Sequence, residues 1–181
     1  MVELRVVDAE MRDVPRDGVS TGEIVARAPW LNEAYLKDAD ATAALWRGGY
    51  MHTGDVGRIE ADGSLMITDR IKDVIKSGGE WISSLTLESI ASAVDGVAEV
   101  AAIGTPHPTW GERPRLLVVP VVGADVERLP VDITAALDLE ISEGTLSKWA
   151  LPDRIDIVAE LAKTSVGKID KKCLRAQMTP G

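Results

Sequence analysis

One cysteine, Cys173, stands in the 181 residues. That excludes an intramolecular disulfide and the paired CxxC spacing of a structural zinc site, and with them a secreted, disulfide-built scaffold. No apolar stretch approaches the roughly 18 to 20 residues of a membrane span, and no signal-type apolar segment opens the sequence. A cytoplasmic protein is expected, with at most peripheral contact to a membrane. Positive charge is scarce as well: 20 Lys and Arg against 29 Asp and Glu leave a net charge of -9. Nucleic acid and anionic membranes are therefore not expected as general partners. Neither GxGxxG nor GxxxxGK[ST] occurs, so the glycine-rich loops of dinucleotide and P-loop sites are missing. Internal repeats and low-complexity tracts are absent, and no residue grouping reads as a protein metal site.

What is present suffices for a buried core, since 45% of the residues are hydrophobic. Val2–Val7 and Gly22–Arg27 alternate at period two, and Pro15 to Gly18 supplies turn residues between them. Asp38 to Trp46 reads as a short helix with Asp38 or Asp40 as its cap. Val56–Glu60 and Ser64–Thr68 flank Ala61-Asp62-Gly63, a hairpin signal because Asp-Gly tolerates positive φ. After Lys72 strands alternate with helices. Strands are expected at 73–76, 97–103, 116–122 and 155–158. Helices are expected through Leu87, Ile90, Ala91 and Val94 up to Gly96, within 131–146, and at 169–178. The fold class is α+β: a β-rich segment over 1–72, then a compact α+β domain over 73–181, with the boundary at 68–72.

Several residues invite a chemical reading. Asp55, just after Gly54 in Thr53-Gly54-Asp55, can accept two hydrogen bonds from a vicinal diol, although the tripeptide by itself reads first as a turn. Fifteen residues on, Arg70 offers a planar fork that can share those hydroxyls or pair with Asp55. Gly78-Gly79 lets the backbone pass close to a thin ligand or turn sharply. Trp110 follows Pro106-His107-Pro108, which reads as a rigid loop, and is either a buried ring or an aromatic surface. His107 has no acid partner at readable spacing, and Cys173 reads as a packed thiol. From Lys163 to the end, five Lys or Arg face the single Asp170. This is either a solvated face or a site for phosphate or carboxylate. Within it Lys168, after Gly167, can deliver an ammonium group from an extended loop.

Taken in order, Tyr50-Met-His-Thr-Gly-Asp55, the run from Thr68 through Ser77-Gly78-Gly79-Glu80-Trp81-Ile82, and Thr164-Ser165-Val166-Gly167-Lys168 resemble the closing third of the AMP-forming adenylating superfamily. That superfamily includes acyl-CoA ligases, luciferases and the adenylation domains of peptide synthetases. The resemblance runs from Val2 to about Gln177. It implies that Thr53, Asp55 and Arg70 hold ATP and the acyl-adenylate, that Lys72 is a domain hinge, and that Lys168 is the catalytic lysine of adenylation. Lys76, Gly78, Gly79 and Trp110 would serve the second half-reaction and CoA. The implied substrates are ATP, CoA and a carboxylic acid, most like a medium- or long-chain fatty acid, with Mg2+ carried by the nucleotide. The implied partner is a large N-terminal adenylating domain, whose Ser/Thr/Gly-rich phosphate loop does not occur in these residues. His52 would touch the nucleotide site without moving a proton. Met51-His52 in place of an aromatic-Arg pair, Thr86 in place of an acid and the lack of any Phe depart from the family pattern and bear on substrate. A non-catalytic binding remnant and a carrier-protein-dependent adenylation module are the alternatives; Lys72 and Gly-Gly-Glu-Trp favour a CoA acceptor over a carrier protein.

Overall fold

A computed structural model describes residues 2–178 and divides the chain after Lys72 into two compact units. The expected α+β region is therefore described as far as Met178. The first unit is one antiparallel sheet in the order β1-β2-β3-β4, from strands Glu3–Val7, Gly22–Arg27, Met51–Ile59 and Leu65–Arg70. Its small core is Val6, Val7, Ile24, Val25, Tyr50 and Val56. The turn expected near Pro15 to Gly18 is closed by Asp17, which accepts the backbone N–H groups of Val19 and Ser20. The Ser20 N–H in particular lowers the Asp17 carboxyl to about 2. Helix α1, Ala39–Leu45, is capped by Asp38, whose carboxylate accepts the Ala41 N–H at 2.9 Å. No residue of α1 is buried, so the cap rather than packing starts it.

The second unit is built on a mostly antiparallel sheet of Ile75–Ser77 (β5), Glu80–Ile82 (β6), Val97–His107 (β7), Gly111–Pro120 (β8) and Arg154–Ile157 (β9). Its order is β6-β5-β8-β7, with β9 joining β8 in parallel. Since β7 lines one edge of β8, β5 and β9 divide the other, at Gly111 and at 115–118. Helices α2 (Ser84–Ser92) and α3 (Leu129–Ser142) cover one face, and α4 (Lys171–Met178) covers the other. This explains the unbroken apolar runs of β7 and β8, because strands with both faces covered need not alternate with polar residues. Val100, Ala102, Leu116 and Val118 face Leu87, Ile133 and Leu137. Ala101, Ile103 and Leu117 face Leu161 and Leu174. Each fully buried Leu or Ile here contributes about 1.5–3 kcal/mol.

One strand is added and one expectation changes. The glycine pair at 78–79 takes the sharp turn the sequence allows, but it joins β5 to β6, a strand the sequence does not announce. Pro106 and His107 lie inside β7 rather than in a loop, paired with Glu112 and Gly111. Among the described residues no helix is long and apolar enough to cross a membrane. If residues 68–73 are the flexible junction between the units, limited proteolysis cuts there first and leaves the later unit intact. First cleavage within Val97 to Val122 would contradict two independently stable units.

Candidate functional site

In the first unit the Thr53-Gly54-Asp55 segment is a β-bulge. The pairs Val25↔His52 and Glu23↔Val56 mean that β2 advances two residues while β3 advances four. A bulge strips ladder partners from the backbone and re-aims side chains, and here side chains replace several of the lost partners. The Thr53 hydroxyl donates to the Ile24 carbonyl at 2.7 Å and accepts the Asp55 N–H at 3.1 Å. The Glu23 carboxylate accepts the Gly54 N–H at 3.3 Å. Gly54 has φ of +73° with nothing within 4 Å of a would-be Cβ, so glycine is required for conformation and not for clearance.

Across β3 and β4, Asp55 faces Arg70, and Nε lies 3.2 Å from Oδ1. An exposed pair of this kind is worth at most about 1 kcal/mol, too little to explain the geometry as a stability device. The Arg70 side chain is 62% exposed, leaving guanidinium donors available beside the carboxylate. Thr53, Gly54, Arg70, Ile71 and Lys72 line a surface cleft of about 310 Å³. Lys72 is exposed in the turn that follows. His52 is not a free base: Nδ1 is 2.7 Å from Glu23 and Nε2 is 3.1 Å from the Arg47 carbonyl.

In the second unit Ser77 pairs with Glu80, leaving Gly78 and Gly79 as a two-residue hairpin loop with φ of +61° and +86°. Positive φ at both central positions is the type I′ turn, which glycine adopts without steric cost. A Cβ on Gly78 would stand 3.2 Å from the Trp149 ring, whereas one on Gly79 would meet nothing within 4 Å. Trp149 in turn lies 4.6 Å, centroid to centroid, from Trp110, and the Trp110 carbonyl accepts the Gly78 N–H at 3.0 Å. Trp110 is thus a half-exposed member of an aromatic pair.

Neighbouring side chains brace this hairpin. His107 Nδ1 accepts the N–H groups of Thr109 and Trp110, so its ring shapes the turn that carries Trp110. Arg113 donates to the Ser77 hydroxyl, to the Trp149 and Leu151 carbonyls and to Asp153. Glu112 accepts the Lys76 N–H at 2.9 Å, and the Lys76 ammonium lies over the Trp81 ring. Glu112, Arg113 and Trp149 were not singled out from sequence. The one available signal was the position of Glu112 and Arg113 directly after Trp110-Gly111.

Lys168 stands on a tight turn of its own. The Thr164 N–H donates to the Lys168 carbonyl at 2.7 Å, the Gly167 N–H to the Thr164 carbonyl at 2.9 Å, and Gly167 has φ of +79°. The basic tail around it is mostly neutralised. Lys163 pairs with Glu99, Lys171 with Glu88 and the Ser84 hydroxyl, and Arg175 with Asp73. Among the described residues Lys168 and Lys172 have no ion-pair partner, and Lys168 is exposed. No group of three or more His, Cys, Asp or Glu that could hold a metal occurs among the described residues.

Residues 86–168 match the AMP-binding enzyme C-terminal domain family. The class of the fold is therefore that of the C-terminal region of adenylating enzymes. Over 176 residues the chain is 42% identical to a 3-methylmercaptopropionyl-CoA ligase of Ruegeria lacuscaerulensis, covering 96% of this chain and 31% of that protein. A long-chain-fatty-acid–CoA ligase of Thermus thermophilus is 40% identical, with 98% and 32% covered. Among solved structures, ATP-bound MatB from Rhodopseudomonas palustris superposes with a TM-score of 0.81 at 30% identity, over 97% of this chain and 34% of that one. The chain thus carries the AMP-binding enzyme C-terminal domain and is similar over nearly its whole length to acyl-CoA ligases, of whose length it spans about a third.

Proposed function

We propose that the chain acts as the C-terminal part of an AMP-forming acid–CoA ligase, with 68–72 as its hinge and a large N-terminal adenylating region as its working partner. The substrate is an aliphatic carboxylic acid of the fatty-acid kind, in keeping with relatives named for a long-chain fatty acid and for 3-methylmercaptopropionate. In the first step a carboxylate oxygen attacks the α-phosphorus of ATP and pyrophosphate leaves. In the second the CoA thiol sulfur attacks the acyl carbonyl and AMP leaves, giving the thioester.

The observation that carries this reading is the selective neutralisation of the tail. Three of its cations are bound to carboxylates, while Lys168 is held out on a glycine turn. An ammonium group left unpaired at a loop tip is available to a substrate anion, and negative charge concentrates as the carboxylate attacks phosphorus. Asp55 and Arg70 suit the ribose hydroxyls, one as acceptor and the other as donor. Magnesium would travel with the triphosphate. The Gly78-Gly79 turn, with no side chain at its tip and Trp110 and Trp149 beside it, suits the approach of a thin thiol arm. Lys76 belongs to the same step.

ATP–pyrophosphate exchange with medium- and long-chain acids tests the reading. The purified chain is expected to be silent, and to support exchange once combined with an N-terminal adenylating region. Robust turnover by the chain alone would overturn the assignment of the triphosphate and acyl pockets to another region.

A further inference from the structure

The pairing of β2 with β3 puts Glu23, Val25, His52 and Val56 on one face of the first sheet, the face that buries Val25 and Val56. A carboxylate and an imidazole therefore sit among apolar neighbours, 12% and 10% exposed. Burial of a carboxylate is unfavourable unless its oxygens are satisfied. Glu23 meets that condition by dividing its oxygens: Oε2 faces His52 Nδ1 and Oε1 accepts the Gly54 N–H. Both ring nitrogens of His52 face oxygens, the Glu23 carboxylate and the Arg47 carbonyl.

Gly54 is held on its other side too, because its carbonyl accepts the Ile71 N–H at 2.9 Å. Ile71 lies between Arg70 and Lys72, and Asp55 directly follows Gly54. A run of contacts thus leads from His52 through Glu23 and Gly54 to both members of the Asp55–Arg70 pair. Gly54 has the widest backbone freedom of any residue in that run, and Glu23 is what restrains its N–H. We propose that Glu23 and His52 are positioning residues for the nucleotide ribose: they fix Gly54, and through it the separation and aim of Asp55 and Arg70. The proposal rests on the nucleotide reading of this cleft.

The test uses the isotope-labelled 181-residue chain, amide hydrogen exchange read by NMR, and titration with AMP. Glu23→Ala and His52→Leu are expected to speed exchange at Gly54 and Ile71 by about tenfold, the factor set by losing a hydrogen bond of ordinary strength. Exchange at Leu117 in the other unit stays unchanged. AMP affinity, followed at Asp55 and Arg70, falls by about the same factor. His52→Arg, which offers a fixed fork of donors to the Glu23 carboxylate and the Arg47 carbonyl, retains both properties. Glu23→Gln preserves shape and an acceptor for Gly54 and serves if Glu23→Ala does not fold; its effects have the same sign and are smaller.

Faster exchange with unchanged AMP affinity would reduce Glu23 and His52 to packing of the bulge and overturn the proposal. So would unchanged Gly54 exchange in folded Glu23 variants, or a His52→Arg chain that behaves like His52→Leu. Should wild-type Asp55 and Arg70 ignore AMP while Gly54 still responds to the substitutions, the nucleotide reading itself fails. The proposal falls with it.

Discussion

Lys168→Ala is expected to lower acyl-adenylate formation by about two to three orders of magnitude in a ligase assembled with this chain as its C-terminal third. The size follows from removing one fixed charge aimed at charge that develops in the transition state. The structure supplies two controls inside the same tail. Lys172 also lacks an ion-pair partner among the described residues but sits on the exposed side of α4, so Lys172→Ala leaves the rate nearly unchanged. Lys171 is 11% exposed against Glu88, which also accepts the Ala102 N–H. Lys171→Ala strands a largely buried carboxylate and shows as a lowered melting temperature. Single-turnover kinetics and thermal unfolding on the three variants separate these effects. Equal rate losses for Lys168→Ala and Lys172→Ala would mean that general basicity, and not the Lys168 turn, matters.

Gly79→Leu is expected to do the opposite, slowing conversion of supplied acyl-AMP to acyl-CoA on the order of a hundredfold, the scale of a displaced reacting group, while sparing adenylation. Gly79 has open space around its Cα and φ of +86°, so the substitution brings both bulk and backbone strain of about 1–2 kcal/mol. Gly79→Asn distinguishes the two, because Asn enters the left-handed region more readily and projects less far. A thioester defect in Leu but not Asn assigns the effect to obstruction. If Lys168→Ala and Gly79→Leu, both folded, lose both half-reactions alike, then the two residues do not serve separate steps.

The first two strands were legible by their period-two pattern. Val2–Val7 and Gly22–Arg27 alternate in sequence and the observed strands fall within one residue of them, although burial does not follow the alternation, since Val6 and Val7, and Ile24 and Val25, are buried on opposite faces. The helix through Leu87, Ile90 and Ala91 was legible by its spacing, and so was α3 within 131–146, although that helix starts two residues earlier, at Leu129. Strand β6 was not legible. Three residues cannot display a period, and Glu80-Trp81-Ile82 becomes a strand only because the I′ turn folds it back on β5. The bulge at Thr53-Gly54-Asp55 was hidden for another reason: a bulge is a relation between two strands, and β3 by itself reads as ordinary sequence. Trp149 carries no signal in the sequence because its partner Trp110 is distant in the chain, and no local pattern announces a contact between a hairpin and the 3-10 turn Lys148–Ala150. Tertiary pairing, not local preference, made the parts that were missed.

The bulge adds two residues to β3, and the even number has a consequence for changes in length. Side chains in a strand alternate, so a surplus of one would have turned Val56 out to solvent and brought its neighbours in. A surplus of two returns the strand to phase: His52 before it and Val56 after it share the face of Glu23 and Val25. The cleft-lining segment is in this sense a surplus on the β2 side of the ladder alone, while on the other side Asp55 keeps its pairing with Arg70. A two-residue change in length at this place therefore keeps His52 and Val56 on the face they share with Glu23 and Val25.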